Sequence, residues 1–196
     1  SISIYQNGFL AATTLLPMGG EFITNDLAFG LRTKTEVAER VKCKYGVANV
    51  ARASHAKTIE IKMIGDKEKT ISELEIAQMI APRIEEIFQL IKQQIRAMGY
   101  SDEPTGGYIL TGGVMATSHI LDVARKQLGH AVRIAIPQEF GVSEPSYMGS
   151  VSILQYSLKR GWVPLPKPQL VMKKRVKKKR SPSPFERMKI WLSEFI

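Results

Sequence analysis

Two short patterns in this sequence carry residue types that could hold a ligand. Gly107-Tyr108-Ile109-Leu110-Thr111-Gly112-Gly113-Val114 reads as a buried strand running into a glycine turn and then a helix. Glycine lets the backbone turn sharply and approach another group, and in an open α/β sheet ligands sit beyond the carboxyl ends of strands. The exposed N–H groups of such a turn would face the ligand. The same residues also read as a tight turn with no ligand, since two glycines are far less specific than a full phosphate-binding fingerprint. The second pattern is Glu39 and Lys42, three apart in a helical stretch. They read either as an exposed ion pair contributing ~0.2–0.5 kcal/mol or, more sharply, as side chains that contact a nucleotide.

Other chemistries find no support. His55, His119 and His130 have no metal-ligand spacing with each other or with Cys43, and no Ser/His/Asp or Cys/His catalytic pattern stands out. Cys43 is the single cysteine, which excludes an internal disulfide and fits a reducing compartment. No stretch approaches the ~18 uninterrupted apolar residues of a membrane-spanning helix, and the first residues do not form a signal peptide. The expectation is therefore a cytoplasmic protein.

The elements that must position these residues follow from period and punctuation. Residues 1–5 alternate at period two, Gln6-Asn7-Gly8 contains the Asn-Gly pair favoured in tight hairpins, and residues 9–16 continue as a second strand. The chain thus begins inside a sheet, with no initiating Met, which suggests a fragment whose upstream sheet neighbours lie outside it. Pro17-Met18-Gly19-Gly20 closes the hairpin region, and residues 21–29 change to helical spacing. Thr33 with Glu36 offers a capping box for a helix to Tyr45, with Val37, Val41 and Tyr45 as its core stripe. Residues 57–64 alternate as a half-buried strand. Ser72 with Glu75 offers a second capping box, opening one long helix or a kinked pair around Pro82 that ends at Gly99. Beyond the glycine corner, residues 118–128 read as a helix, 132–136 as a strand, 137–145 as a loop and 147–159 as a helix.

Charge separates the body from its tail. The formal net charge is +10, and residues 167–180 carry eight Lys and Arg with no acid, so 10 − 8 leaves +2 elsewhere. Pro164, Pro166 and Pro168 mark a stiff linker over residues 163–184, which no core can include. In residues 185–196, Phe185, Met188, Trp191, Leu192, Phe195 and Ile196 fall on one side of a helix, with Glu186, Arg187 and Glu194 opposite. A polybasic tether followed by an amphipathic helix is the pattern of a peripheral membrane anchor on anionic lipid. The basic run is poor in aromatic side chains, which speaks against nucleic acid as the partner.

The chain resembles the second half of the FtsA family of bacterial actin-like cell-division proteins. The resemblance rests on the opening hairpin with Leu16-Pro17-Met18-Gly19-Gly20-Glu21-Phe22-Ile23-Thr24-Asn25-Asp26, and on Gly30-Leu31-Arg32-Thr33 with the segment from Glu36 to Gly46. It rests also on Ile109 to Gly113, on Val132-Arg133-Ile134 and on the tethered helix. It implies an α/β fold, the second half of an actin-like ATPase, with residues 1–20 and 105–162 in a sheet subdomain called 2A and residues 21–104 in an inserted subdomain called 2B.

In site terms, the resemblance implies that Thr111, Gly112 and Gly113 form the adenosine-side turn and that Gly19 and Gly20 flank the cleft. Glu39 and Lys42 would reach the ribose. Val114 stands where the family commonly has a third glycine. The implied cofactor is ATP with Mg2+, bound weakly or not at all here, because both phosphate loops of the family are absent from the sequence. The implied role is a non-enzymatic scaffold on the cytoplasmic face of the membrane at the division site, binding the carboxyl-terminal peptide of the tubulin-like FtsZ, anionic lipid and further copies of itself. An actin-fold ATPase or sugar-kinase fragment is the enzyme alternative, and a basic-tailed nucleic-acid binder the third.

Overall fold

The computed structural model describes residues 1–65, 67–129, 131–138 and 141–162. The linker, the basic run and the amphipathic segment of residues 185–196 lie outside the described residues, as does His130. The chain opens with the expected hairpin, β1 (Ile2–Gln6) and β2 (Phe9–Thr14). Asn7 and Gly8 take successive positive φ angles of 51° and 82°, the turn whose twist matches that of the two strands. Between the pairs Ile4↔Ala12 and Tyr5↔Leu10 the register skips Ala11, a one-residue bulge that bends the ribbon.

Helices supply the core. In α1 (Gly20–Leu31), Ile23, Thr24, Leu27 and Leu31 recur at helical spacing and are all buried. Helix α2 (Thr35–Tyr45) buries Ala38 and Val41, with Val37 and Tyr45 packed alongside, so the expected stripe forms. The expected capping box of Thr33 with Glu36 does not form. The cap position falls on Lys34, and the Thr33 hydroxyl instead donates to the Lys62 carbonyl at 2.6 Å, tying the entry of α2 to β3 (Thr58–Lys62). Strand β3 pairs antiparallel with β4 (Glu68–Ser72), which sequence reading missed. Only Ile71 and Ser72 of β4 are buried, consecutively, so no alternating pattern advertises it.

Ser72 and Glu75 do cap each other, satisfying two backbone N–H groups at the start of α3 (Glu73–Ala97). This helix continues unbroken through Pro82. Its face of Ile76, Ile80, Ile84 and Phe88 is buried against α1 on one side and α4 (Ile120–Leu128) on the other. Arg83 clamps α1 to α3 with two hydrogen bonds to the Asp26 carboxylate, at 2.5 and 3.0 Å.

Strand β5 (Tyr108–Leu110) runs parallel to β6 (Val132–Ile134), joined through α4. The expectation of a buried β5 needs correcting: Ile109 is 56% exposed, because among the described residues β5 pairs with β6 alone and only its other face meets the core. The helix after the glycine corner begins at Ile120 rather than at Ser118, since Ser118 bridges to Val47 and its carbonyl accepts from Ala48 N–H at 2.9 Å. Helix α5 (Met148–Lys159) closes the described chain and buries none of its residues.

Candidate functional site

Folding brings four of the singled-out residues to one place. The first turn of α1 starts at Gly20, and α2 lays Lys42 across it. The Lys42 ammonium donates to the Gly20 carbonyl at 3.0 Å, to Thr24 Oγ1 at 2.7 Å and to Glu39 Oε2 at 2.6 Å. Three acceptors use the three N–H bonds that an ammonium has. A Cβ placed on Gly20 would sit 3.0 Å from Val114 Cγ2 and 3.4 Å from Lys42 Nζ. Glycine at this position therefore permits a close approach of the 113–116 turn to the start of α1.

Glu39 and Lys42 are not a free surface pair. The Lys42 side chain is only 11% exposed, held between α1 and α2, whereas Glu39 is 48% exposed. Burial lifts the Glu39 pKa, but hydrogen bonds from Lys42, Thr24 and Cys43 outweigh it, and the carboxyl lies below its ordinary value. The Cys43 thiol donates to Glu39 Oε1 at 3.3 Å and is itself pushed up, first by burial and then by that bond. The corner thus presents an ionised, half-open carboxylate that accepts a hydrogen bond from Lys42. Such a carboxylate can accept hydrogen bonds from vicinal hydroxyl groups of a ligand.

Gly112 and Gly113 shape the facing turn. Gly112 has φ of 105°, a region that favours glycine, and its N–H donates to the Pro145 carbonyl at 3.2 Å. Gly113 begins the 3-10 turn Gly113–Ala116 and lies beside Ser146. Thr111 is exposed just before it, and Val114 packs against the core. Gly19 precedes α1 in extended backbone, with open space where a side chain would lie. Lys42 joins Gly20 to Glu39 and Val114 lies against Gly20, while Thr111, Gly112 and Gly113 form the turn that carries Val114 there.

Sequence reading missed Thr24. It is buried, and its hydroxyl, which has one proton to give, faces both the Glu39 carboxylate and the Gly20 carbonyl. A polar residue inside the apolar stripe of α1, four after Gly20, was the available signal. Two cavities, of about 370 and 390 Å³, are lined by other residues, the first around Lys92, Tyr108 and Gly129 and the second around Asn49, Glu85 and Asp122. Among the described residues no group of three or more His, Cys, Asp and Glu could hold a metal ion.

Comparison with known proteins gives a consistent result. The family described as "Cell division protein FtsA" matches residues 1–152. The chain is 41% identical over 158 residues to cell division protein FtsA of Bacillus subtilis, covering 80% of this chain and 36% of that protein. It is 34% identical to the FtsA of Neisseria meningitidis, with 84% and 42% covered. The chain therefore spans about two fifths of the length of these relatives. Among solved structures, MreB5 of Spiroplasma citri bound to ADP matches with a TM-score of 0.55 at 16% identity, covering 82% of this chain and 51% of that one. At that identity the likeness shows the fold, which is actin-like.

Proposed function

This chain belongs to the FtsA family, and from that premise we propose that it serves in cell division as the adaptor part of an actin-like protein, linking FtsZ to the membrane. Residues 1–20 and 105–162 are assigned to the 2A-like subdomain and residues 21–104 to the 2B-like one. The observation that carries the nucleotide side of the reading is the convergence of Gly20, Glu39, Lys42 and Val114 from distant parts of the sequence.

In this reading Glu39 accepts from the ribose hydroxyls of ATP, Lys42 fixes its carboxylate, and the turn of Thr111, Gly112 and Gly113 lies against the adenosine. Bound ATP with Mg2+ would supply the phosphate charge that the other half of an actin-like cleft recognises. The 196 residues contain no glycine-rich phosphate loop, so this chain acts as an adaptor and not as a catalyst.

The FtsZ carboxyl-terminal peptide is assigned to the outer surface of α3 and its neighbours in the 2B-like part. Residues 185–196 are the membrane anchor, with residues 167–180 as the second, electrostatic signal on anionic lipid. Among the described residues no helix is long and apolar enough to cross a membrane. The site of action is then the inner membrane face at the division site, where copies associate with one another as actin-like proteins do.

One experiment tests the adaptor role. A labelled FtsZ carboxyl-terminal peptide should pellet with anionic vesicles only when the chain is present, and Trp191→Glu should leave both chain and peptide in solution. Peptide that stays in solution while the chain pellets would defeat the FtsZ assignment; a Trp191→Glu chain that still pellets would defeat the anchor.

A further inference from the structure

Thr24 is a polar residue in an apolar place. It stands in the buried stripe of α1 between Ile23 and Leu27 and is itself only 2% exposed. A threonine in a helix commonly turns its hydroxyl to the carbonyl four residues back, and the Gly20 carbonyl lies at 3.0 Å. That one acceptor would satisfy it. Two side chains of α2 nevertheless converge on the same hydroxyl: Glu39 Oε2 is within reach of its proton, and Lys42 Nζ donates to its oxygen at 2.7 Å.

The two oxygens of Glu39 are therefore not equivalent. Oε2 points inward, to Thr24 and, at 2.6 Å, to Lys42, whereas among the described residues Oε1 meets only the Cys43 thiol at 3.3 Å. A thiol is a weak donor, so Oε1 keeps the capacity to accept from a ligand. We propose that Thr24 is a positioning residue: with Lys42 it pins Oε2 inward and leaves Oε1 to read the sugar hydroxyls, so that preference for ribose over 2′-deoxyribose depends on a hydroxyl that no ligand touches. The inference rests on reading the corner as the place of the ribose.

Order in the carboxylate is what makes it selective. A half-exposed glutamate otherwise samples several rotamers, and a ligand that binds it must first stop that motion. Lys42 alone does not fix a direction, because an ammonium is a compact charge on a flexible stem. The Thr24 hydroxyl is rooted on a stiff, β-branched side chain in the core, and so gives Oε2 a partner at a set position. A sugar lacking one hydroxyl is rejected only where its missing donor would leave an acceptor unpaired. A carboxylate free to swing would turn to water or to the remaining hydroxyl instead.

Two substitutions separate positioning from packing, because the two roles predict opposite orders. Thr24→Val keeps the branched shape and removes the hydroxyl; Thr24→Ser keeps the hydroxyl and removes the methyl group. In the full chain without ligand, an NMR titration of the Glu39 carboxyl should move to higher pH in Thr24→Val and stay in place in Thr24→Ser. The sign follows from the Thr24 hydrogen bond, which with those of Lys42 and Cys43 holds this carboxyl below its ordinary value. Side-chain couplings of Glu39 should average towards those of a free rotor in Thr24→Val alone. Unaltered titration and couplings in Thr24→Val, or a Thr24→Ser chain that behaves like Thr24→Val, would overturn the proposal.

The ligand arm uses ATP and 2′-deoxy-ATP at millimolar concentration, followed at the amide signals of Gly20 and Val114. ATP should bind about threefold or more tightly than its deoxy form in the unaltered chain and in Thr24→Ser, the usual worth of one hydrogen bond. In Thr24→Val the two should bind alike. A preference retained in Thr24→Val, or none in the unaltered chain, would overturn the role in sugar reading. ATP that leaves both amides unmoved would overturn the nucleotide reading and the sugar preference with it, while the titration without ligand still decides whether Thr24 positions Glu39.

Discussion

Lys42 holds the Gly20 carbonyl at 3.0 Å, so one ammonium on α2 fastens the first turn of α1 and, through Glu39, the carboxylate that faces outward. The corner's polar geometry hangs on that contact. Most of the Lys42 side chain is out of water, and a donor buried there can be removed only by leaving its acceptors short.

Lys42→Met keeps the stem and deletes the charge. It should lower stability by about 1–3 kcal/mol, the usual cost of orphaning buried polar groups. It should also raise the Glu39 pKa, because the hydrogen bond from Lys42 is the largest influence pulling it down. Urea denaturation and a carboxyl titration by NMR read the two effects, and an unchanged Glu39 titration would show that the pair is not coupled as described.

Gly20→Ala tests the close approach to Val114. An added Cβ at 3.0 Å from Val114 Cγ2 crowds a stiff, β-branched side chain, which should cost more than the gain in helix propensity of up to ~1 kcal/mol. Val114→Ala should relieve the crowding, so the double variant should be more stable than the sum of the single effects requires. Simple additivity in that cycle would remove the contact from the account.

The Arg83 clamp predicts a smaller effect. Its two bonds to Asp26 join α1 to α3, but both partners are partly exposed. Arg83→Ala should therefore cost only about 1 kcal/mol, screened in part by solvent. Asp26→Ala should cost about the same, and the double variant no more than either alone. A loss of 3 kcal/mol or more would show that the pair holds the helices more tightly than its exposure allows.

Asp102 gives a pH signature. Its carboxylate accepts from Arg96 at 2.7 Å and pairs with Lys92 at 3.2 Å, and the Arg96 bond chiefly lowers its pKa to about 2. The folded pKa lies below the unfolded one, so the latch between α3 and the 100–107 loop contributes above about pH 4 and is lost as pH falls towards 2. An NMR titration should show the Asp102 carboxyl still ionised at pH 3, and Arg96→Ala should move its midpoint up towards the ordinary value of 3.8. A midpoint already near 3.8 in the unaltered protein would contradict the latch.

If the corner takes the sugar end of ATP as proposed, binding by this chain should be weak and without turnover, because the phosphates would stand in water. Calorimetric titration showing micromolar affinity, or hydrolysis above background, would refute this.

The sequence by itself determined the local elements whose signals are complete within a few residues. Asn7-Gly8 dictates its turn because only such residues take two positive φ angles cheaply, and Ser72 with Glu75 dictates the start of α3 because each satisfies the other's backbone N–H. The glycine corner was legible as a turn, and Glu39 with Lys42 as a pair. What the sequence left open is whatever depends on a partner far along the chain. Thr33 looked like a cap, but the helix takes Lys34 as its cap residue and the Thr33 hydroxyl donates to the distant Lys62 carbonyl, and β4 carried no pattern because only its last two residues are buried, on consecutive positions. Lys42 looked exposed because nothing near it in sequence announces that α1 lies over it. The meeting of Gly20 with Val114, more than ninety residues apart, was decided by tertiary packing alone, since excluded volume between two turns has no signature in either one.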